Sequence, residues 1–361
     1  MSVVSSALVL PAGFRVSVAP MMDWTDRHCR SFHRLLSRRA WLYTEMVTAQ
    51  AIAHGDLDHL LGRGEEGERV VLQLGGNDPQ LLARAAREGQ AYGYDEINLN
   101  CGCPSDRVRE GAFGACLMAE PERVADCVAA MQAVVQVPVT VKHRIGIDRL
   151  EDYEFVHHFV DVVAAAGCRR FVVHARNAWL DGLDPKQNRE IPPLRYEVVH
   201  RLAQDFPHCA FELNGGLQDL VHGLAAVCPE GAGDGSPATR LVGAMYGRRA
   251  YHDPWLLAGV DDWLARHEAE APVTDAARPL TRAAVVEALV GYLERGAAHG
   301  VEVRHLARHV LGLYLGQPAA RLWRRMLSES RALSRNDPGL LREACAAVEA
   351  EAPRVAQGRG V

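Results

Sequence analysis

Lysine is almost absent from this sequence, because only two of its 40 basic residues are lysines, Lys142 and Lys186. A compact ammonium and a planar guanidinium are not interchangeable, so we expect each lysine to stand where arginine would fail. The chain also lacks an excess of positive charge, since its formal net charge is -5. This balance argues against a protein that coats nucleic acid non-specifically, which needs a basic surface. A local basic patch remains compatible with it.

Membrane and secretion signals are also missing. No run of about 18 apolar residues occurs, and the first 12 residues lack the basic start and long apolar core of a secretion signal. The nine cysteines are odd in number, and the closest pair, Cys101 and Cys103, is separated by one residue. Neither a disulfide framework nor a zinc site fits that spacing. We therefore expect a cytoplasmic protein without a membrane segment or a metal.

Short apolar runs recur at intervals typical of strand-helix units. Eight strands are predicted at 14–18, 41–44, 70–74, 96–99, 137–141, 170–173, 210–213 and 241–246, and helices between them at 79–92, 121–135, 153–166 and 194–205. Such alternation indicates a parallel sheet. A doubly wound open sheet would normally carry GxGxxG after its first strand, and no such motif follows the first predicted strand here. The α/β fold predicted is therefore a (βα)8 TIM barrel.

The C-terminal region differs in pattern from the barrel. A Gly- and Pro-rich insertion at 229–238 precedes strand eight, and 269–280 is a predicted linker between a barrel at 1–268 and a helical domain at 281–361 with a disordered tail. From Thr281 to about Glu351 the apolar spacing predicts three or four helices. Between Val301 and Cys345, eight arginines face four acidic residues. This local net charge of about +4 favours binding to nucleic acid.

Polar side chains follow or end nearly every predicted strand, at the edge where barrel enzymes build their sites. They are Thr44 and Glu45 after strand two, Gln73, Asn98 and Asn100 at the ends of strands three and four, Lys142 after strand five, His174 after six, Asn214 after seven and Arg248 after eight. One such residue alone is usually a hydrogen-bonded buried polar group. The joint pattern predicts an active site.

Glycines accompany two of these positions. Asn214 is followed by Gly215 and Gly216, and Gly247 precedes Arg248. Barrels commonly hold a phosphate at the loops after strands seven and eight. Glycine lets backbone N–H groups approach phosphate oxygens, and an arginine adds a charge-assisted contact. The sequence therefore predicts a ligand that carries a phosphate.

Seven motifs occur in a recognisable order between residues 17 and 216: SVAPMMDWTDRHCR, LYTEM, LQLGGNDP, YDEINLNCGCPSDRV, VTVKHRIG, VVHAR and NGG. This series resembles the dihydrouridine synthase family. NREIPPL at 188–194 and RLWRRMLSE at 321–329 are similar to the A-type subfamily. The run Leu241–Met245 departs from the aspartate-containing approach to strand eight that the family usually has.

The resemblance implies a barrel that holds FMN, a helical C-terminal domain that grips tRNA, and NADPH as reductant. It implies that the flavin is held by Pro20, Met21, Met22, Gln73, Lys142, His174, Asn214, Gly215, Gly216, Gly247 and Arg248. A flavin needs a cation near its pyrimidine edge, an amide that reads that edge and phosphate donors at its tail. Lys142 can supply the cation, Gln73 the amide, and the glycines after strands seven and eight the phosphate donors.

Cys103 in NCGCPS resembles the general acid of the family. Reducing uracil requires a hydride at C6 and a proton at C5, and ordinary thiols are mostly protonated at neutral pH. Cys101 is interpreted as packing, because cysteine commonly serves as a small buried hydrophobe. Asn100 resembles the asparagine that contacts the substrate in the family. The predicted tRNA contacts are Asn100, Lys186, Arg189, Arg304, Arg308, Arg321, Arg324 and Arg325.

Three functions remain open at this point. The first is NADPH-driven reduction of tRNA uridine, which the A-type resemblance places at positions 20 and 20a of the D-loop. The second is an FMN-dependent barrel oxidoreductase that acts on a small pyrimidine, although it gives no reason for the basic helices. The third is a tRNA-binding factor without catalysis. The presence of both Lys142 and Cys103 argues against it.

Overall fold

A closed barrel of eight parallel strands forms the larger part of the molecule. The computed structural model describes residues 10–11, 13–105, 108, 110–229, 241–267 and 279–357. The strands are β1 (Arg15–Val18), β2 (Trp41–Thr48), β3 (Val70–Gly75), β4 (Glu96–Cys101), β5 (Val139–Arg144), β6 (Arg170–His174), β7 (Ala210–Asn214) and β8 (Gly243–Tyr246). Each pairs with the next, and β8 closes on β1 through Val18 and Tyr246. The predicted TIM barrel is confirmed.

Strands β2 and β5 extend furthest beyond their predicted ends, by four and three residues, and β3, β4, β6 and β7 extend by one or two. Pairing with β3 continues β2 to Thr48, across a register shift between Tyr43 and Met46. Thr44 and Glu45 therefore lie within β2, at this irregularity, and not after it. Lys142 likewise lies within β5, where it pairs in register with Asn100 of β4. Local composition missed these extensions because ladder pairing between neighbours sets the length of a parallel strand.

Helices surround the barrel in the order expected for strand-helix units. They are α1 (Arg27–Leu36), α2 (Ala49–His54), α3 (Leu57–Leu61), α4 (Pro79–Ala91), α5 (Pro121–Gln132), α6 (Tyr153–Ala165), α7 (Tyr196–Asp205), α8 (Leu220–Val227), α9 (Arg248–His252) and α10 (Val260–His267). Asp78 caps α4, with Pro79 in its first turn, and Asp152 caps α6. Both arrangements satisfy backbone N–H groups that the first turn leaves open. The four predicted helices are thus present, each slightly shorter than predicted.

The interior of the barrel is polar at its amino-terminal end. Glu96 and Glu212 are fully buried there, and the Arg15 guanidinium lies 2.6 Å from Glu96. Arg170 pairs with Glu212 at 2.9 Å. Burial raises the pKa of Glu212, and the facing arginines oppose that rise. This ion network closes the end of the barrel opposite the candidate site, so a ligand enters from the carboxyl ends of the strands.

The C-terminal part of the described chain is helical. It contains α11 (Arg282–Gly296), α12 (Val303–Val310), α13 (Ala320–Met326), α14 (Ser330–Leu333) and α15 (Gly339–Gln357). The prediction of three or four helices was therefore too low, because turns interrupt the apolar pattern near Gly316 and Asn336, both with positive φ. Trp323 is fully buried and anchors α13 by donating to the Val310 carbonyl. Helices α11 and α12 pack on α1 of the barrel.

Some predictions fall outside the described residues. These are nearly all of the insertion at 229–238, the linker at 269–280 apart from its last two residues, and the end of the predicted tail. The proposed boundaries between barrel, linker and helical domain therefore stay predictions. Within the described ranges, no helix is long and apolar enough to cross a membrane.

Candidate active site

A chain of buried amides crosses the carboxyl-terminal end of the barrel. The Gln73 amide nitrogen donates to Asn98 Oδ1 at 2.8 Å, and Asn98 donates onward to Thr140 Oγ1 at 2.9 Å. In the other direction, Asn100 Nδ2 donates to Gln73 Oε1 at 2.8 Å. Thr44, through its hydroxyl, accepts the Gln73 backbone N–H. These bonds hold the Gln73 amide in one orientation at the barrel mouth.

Lys142 projects its ammonium into the same region. Its Nζ donates to Asn214 Oδ1 at 3.0 Å, and Asn214 is itself oriented by donating to the Met245 carbonyl. Burial, with a smaller contribution from the nearby Arg144 guanidinium, lowers the pKa of Lys142 to about 7. Among the described residues, the hydrogen-bond acceptor of this ammonium is an amide and not a carboxylate. An ammonium with such a partner is suited to compensate an anionic ligand.

Cys103 follows β4 on a loop that Asn100 organises. Asn100 Oδ1 accepts the backbone N–H groups of both Gly102 and Cys103 at 3.0 Å. The Cys103 thiol is half-buried and lies 3.5 Å from Ser105 Oγ. Cys101, by contrast, is fully buried in the apolar core, and burial raises its pKa well above the usual thiol value. Only Cys103 of this pair is therefore accessible to a substrate.

Three cations act electrostatically on the Cys103 thiol. They are Lys142, Arg144 and Arg189, which come from β5 and from the loop after β6. A thiolate formed at this position would lie in a positive field. The arrangement is therefore suited to a cysteine that gives up a proton during a reaction.

Arg144 is a site residue that is absent from the polar residues predicted at the strand ends. Its side chain is 3% exposed. Its Nε donates to the Gly102 carbonyl at 3.0 Å, and its Nη1 donates to the carbonyls of Asn177 and Asn188 at 3.1 and 2.8 Å. One guanidinium thus ties the cysteine loop to two segments that follow β6. The signal was present in VTVKHRIG, two residues after Lys142, but a lone arginine in a motif does not reveal its partners.

The loop after β7 has the backbone geometry expected of a close ligand approach. Gly215 and Gly216 have φ of 121° and 70°, which favour glycine. A Cβ on Gly216 would lie 2.4 Å from Leu194 Cδ1, and one on Gly215 would lie 2.9 Å from His174 Cδ2. Tyr196 donates to the Gly215 carbonyl at 2.6 Å and fixes the turn. Substitution of either glycine would therefore disturb the loop and its neighbours.

Cations stand beside these glycines. Arg248 follows Gly247 after β8, and its Nη1 lies 2.5 Å from the Glu190 carboxylate of the NREIPPL motif. Arg176 donates to the carbonyls of Glu190 and Pro192, while its buried Nε has no hydrogen-bond partner among the described residues. An unpaired buried N–H is costly, so an acceptor on a ligand would stabilise it. A phosphate fits this donor set.

His174 ends β6 and lies against the same loop. Burial lowers its pKa well below the usual histidine value, and Arg144, Lys142 and Arg176 add to that effect. The imidazole is therefore neutral at physiological pH. A neutral ring can offer one N–H donor to a bound ligand without adding charge.

The motif after β1 forms another part of the barrel mouth. Pro20, Met21 and Met22 follow this strand, and the Met22 side chain is 53% exposed. Thr25 fixes the turn by bonding both the N–H and the carbonyl of Met21. The structure therefore brings this predicted flavin segment to the same end of the barrel as Lys142 and Asn214.

The basic residues among the predicted tRNA contacts lie on three segments and differ in whether an ion pair holds them. Lys186 and Arg189 are exposed in the segment after β6, and Arg321, Arg324 and Arg325 are exposed on α13, where they line a cleft with Gln317. Arg304 and Arg308 lie on α12 and are already paired. Arg304 contacts Glu302 at 2.5 Å, and Arg308 contacts Asp26 of the barrel at 2.5 Å. The numbers of basic and acidic residues in the sequence did not show which arginines form ion pairs.

No group of three or more histidine, cysteine or acidic side chains that could hold a metal is found in the described part of the chain.

Comparison with known proteins agrees with this geometry. The family model for dihydrouridine synthase matches residues 17–351. A "tRNA-dihydrouridine(20/20a) synthase" of Synechocystis sp. is 51% identical over 91% of this chain and 93% of its own length. The proteins of the same name from Salmonella typhimurium and Escherichia coli O6:H1 are 50% and 51% identical, over 93% and 90% of this chain and 95% and 92% of their own lengths.

A solved structure of 2-naphthoyl-CoA reductase in complex with 2-naphthoyl-CoA shares the fold alone. Its TM-score is 0.50 at 10% identity, with 71% of this chain and 52% of that chain covered. The relatives are similar over nearly their whole length, and the residues that the family model matches include those of the site described above. The chain therefore belongs to the dihydrouridine synthase family.

Proposed function

We propose that this chain is a tRNA-dihydrouridine synthase that binds FMN, takes electrons from NADPH and reduces the C5=C6 bond of uridine at positions 20 and 20a of the D-loop. The observation that carries the proposal is that the ammonium of Lys142 on β5 and the accessible thiol of Cys103, which follows β4, lie at the same end of neighbouring strands and interact electrostatically. The positions 20 and 20a come from the names of relatives about half identical to this chain. We expect the enzyme to act in the cytoplasm.

The residues present fit a phosphorylated flavin. Lys142 supplies a cation, Gln73 supplies an oriented amide, and the loops at Gly215 to Gly216 and at Gly247 allow backbone N–H groups to approach a phosphate. The unpaired Nε of Arg176 and the guanidinium of Arg248 add donors. When bound, the flavin supplies the hydride that reaches uracil C6. FMN is favoured over a dinucleotide because no GxGxxG follows β1; the one match in the sequence, at 62–67, precedes β3 and does not open a helix.

Cys103 is placed to provide the proton at uracil C5. Asn100 accepts the backbone N–H of Cys103, which fixes the backbone position from which the thiol side chain extends at the rim of the barrel. The bond that breaks is S–H and the bond that forms is C5–H, which leaves a thiolate. The positive field of Lys142, Arg144 and Arg189 stabilises that thiolate until solvent returns the proton.

The helical region supports tRNA as the substrate. Arg321, Arg324 and Arg325 present three exposed guanidinium groups on one short helix, and exposed Lys186 and Arg189 lie beside the barrel mouth. Phosphate contacts of this kind position an RNA, and the barrel then receives one unstacked base. An enzyme for a free pyrimidine would have no use for the basic helix.

The test separates the two half-reactions of Cys103→Ala. The variant should bind FMN and be reduced by NADPH at the wild-type rate, because the proton is needed only when uracil is reduced. Reoxidation by unmodified tRNA should slow by roughly 10² to 10⁴-fold, the usual worth of general acid catalysis. Cys116→Ala is the matched control, since Cys116 is also half-buried but bonds to the Phe113 carbonyl. Formation of dihydrouridine by Cys103→Ala at the wild-type rate would exclude the role.

A second measurement distinguishes the small-pyrimidine alternative. Reduced enzyme is mixed with tRNA, with uridine or with uracil, and reoxidation of the flavin is followed by absorbance. The proposal expects rapid reoxidation only with tRNA, because the basic helices contribute binding that a free base cannot use. Comparable rates with uracil would favour the alternative. Mapping dihydrouridine in tRNA from a deletion strain then identifies the modified positions.

A further inference from the structure

Asp26 joins the barrel to the helical region through both of its carboxylate oxygens. It precedes α1, and its Oδ1 accepts the backbone N–H groups of His28 and Cys29 at 2.9 Å. Its Oδ2 faces α12 instead, where it lies 2.5 Å from Arg308 Nη2 and 3.0 Å from His309 Nε2. One oxygen therefore caps a barrel helix while the other binds the helical region, 282 residues away in sequence.

The contact is partly shielded from water. The His309 side chain is fully buried, and 18% of the Asp26 side chain is exposed. Burial alone would raise the pKa of Asp26, but the bonds from His309, the Cys29 amide and Arg308 hold that pKa below its usual range. The carboxylate is therefore charged whenever the protein is folded near neutral pH. Arg308 remains half-exposed, so solvent weakens its share of the contact.

Aromatic contacts continue the same interface to α9, the helix that follows β8. Tyr251 Oη lies 3.1 Å from His309 Nδ1, and its ring stacks on Trp24 with centroids 4.4 Å apart and an interplanar angle of 13°. Trp24 belongs to the segment that also carries Met21 and Met22. The contact thus reaches the loop after β1 and the helix after β8, the two segments that follow the strands at which the barrel closes.

We propose that Asp26, Arg308 and His309 form a latch that sets the angle between the helical region and the mouth of the barrel. Arg308 then acts as a positioning residue and not as a contact to tRNA phosphate, although charge counting assigned it to tRNA. The latch aligns the exposed arginines of α13 with Cys103, so that a bound tRNA presents its uridine at the thiol. This inference rests on the proposed function for its effect on catalysis, but its geometry can be tested without tRNA.

The variants Asp26→Asn and Arg308→Gln test the latch, alone and combined. Asparagine is as good a helix cap as aspartate, so Asp26→Asn keeps α1 and removes the charge. Hydrogen exchange of the segments 27–36 and 303–310 is measured first, without tRNA. Each single variant should speed exchange in both segments, and the double variant should add little, because both changes break one contact. Arg304→Gln, one turn away on α12, should leave exchange of 27–36 unchanged.

Kinetics and salt dependence then separate positioning from phosphate binding. Asp26→Asn and Arg308→Gln should each lower kcat/KM for tRNA by about three- to tenfold, with NADPH reduction of the flavin unchanged. Arg308→Gln should keep the wild-type slope of log affinity against log salt, whereas loss of a phosphate contact lowers that slope by about 1.

Two results would overturn the latch. One is a reduced salt slope in Arg308→Gln together with wild-type behaviour of Asp26→Asn, which would make Arg308 a phosphate contact. The other is unchanged hydrogen exchange in both single variants. If the wild-type enzyme did not reduce tRNA uridine at all, the proposed function would fail, while the exchange measurement would still decide the latch.

Discussion

Arg144→Met is the most informative single change in the candidate site. The guanidinium donates to the carbonyls of Gly102, Asn177 and Asn188 at 2.8 to 3.1 Å, and the side chain is 3% exposed. Methionine fills a similar length of space but donates no hydrogen bond. Three backbone carbonyls would then lose their partner in a place that water cannot easily reach.

The size of the effect follows from these contacts. A hydrogen bond from a charged donor is worth about 1.5–3 kcal/mol, and bonds that share one group are not additive. Burial opposes the charged form, as shown by the lowered pKa of Arg144, about 9. We therefore expect the free energy of unfolding to fall by about 2–5 kcal/mol, the lower value applying if water enters. Displacement of the cysteine loop by about 1 Å would slow proton transfer by roughly 10²-fold.

The assay compares stability with the two half-reactions. Urea unfolding of Arg144→Met gives the change in free energy, and stopped-flow absorbance gives flavin reduction by NADPH and reoxidation by tRNA. Reoxidation should slow far more than reduction, because only the former uses Cys103. Arg144→Lys should restore part of the rate, and Arg149→Gln, at an exposed position nearby, should behave as wild type. A normal reoxidation rate in a destabilised Arg144→Met protein would refute the reasoning.

Three further changes have defined outcomes. In the folded protein without ligand, Lys142 has a pKa of about 7, well below that of an unfolded lysine. Above pH 7 the unfolded state therefore binds more protons than the folded state, and the contribution of Lys142 to the free energy of unfolding rises with pH up to about 10. Lys142→Met should remove this rise, as measured by the urea midpoint at each pH. Gly216→Ala should weaken FMN binding measured by fluorescence, because its Cβ would meet Leu194, whereas Gly182→Ala, at φ 83° in open space, should not. Arg324→Gln should lower the salt slope of tRNA binding by about 1, and an unchanged slope would remove α13 from the interface.

The agreement between motif and site has a physical cause. Parallel strands end at one edge of the barrel, so residues such as Gln73, Asn100 and Lys142 that lie near the ends of successive strands come close together in space. Strand order alone therefore brings them together. The positive φ of Gly216 is likewise local, since a turn that needs glycine can be recognised from the sequence.

Partners of charged side chains were not predictable in the same way. The sequence counts Arg248, Arg304 and Arg308 equally as cations, but the structure pairs them with Glu190, Glu302 and Asp26. Long arginine side chains reach acids that are distant in sequence, and local periodicity carries no information about such contacts. The role of Arg308 as a tRNA contact was for this reason inferred from charge alone.

Residue order along the chain was enough to predict the eight strands, the polar residues at most strand ends, the glycines after β7 and β8 and the family resemblance, because all of these are local features. The bonds from Arg144 to three loops, the lowered pKa of Lys142 and the contact of Asp26 with α12 are visible only in the folded structure. Burial and long-range pairing depend on which surfaces the folded chain brings together, and a position in the sequence does not encode its distant neighbours. Arginines of one kind therefore bond backbone carbonyls at Arg144, pair with an acid at Arg308 and are exposed at Arg324, according to what surrounds each one.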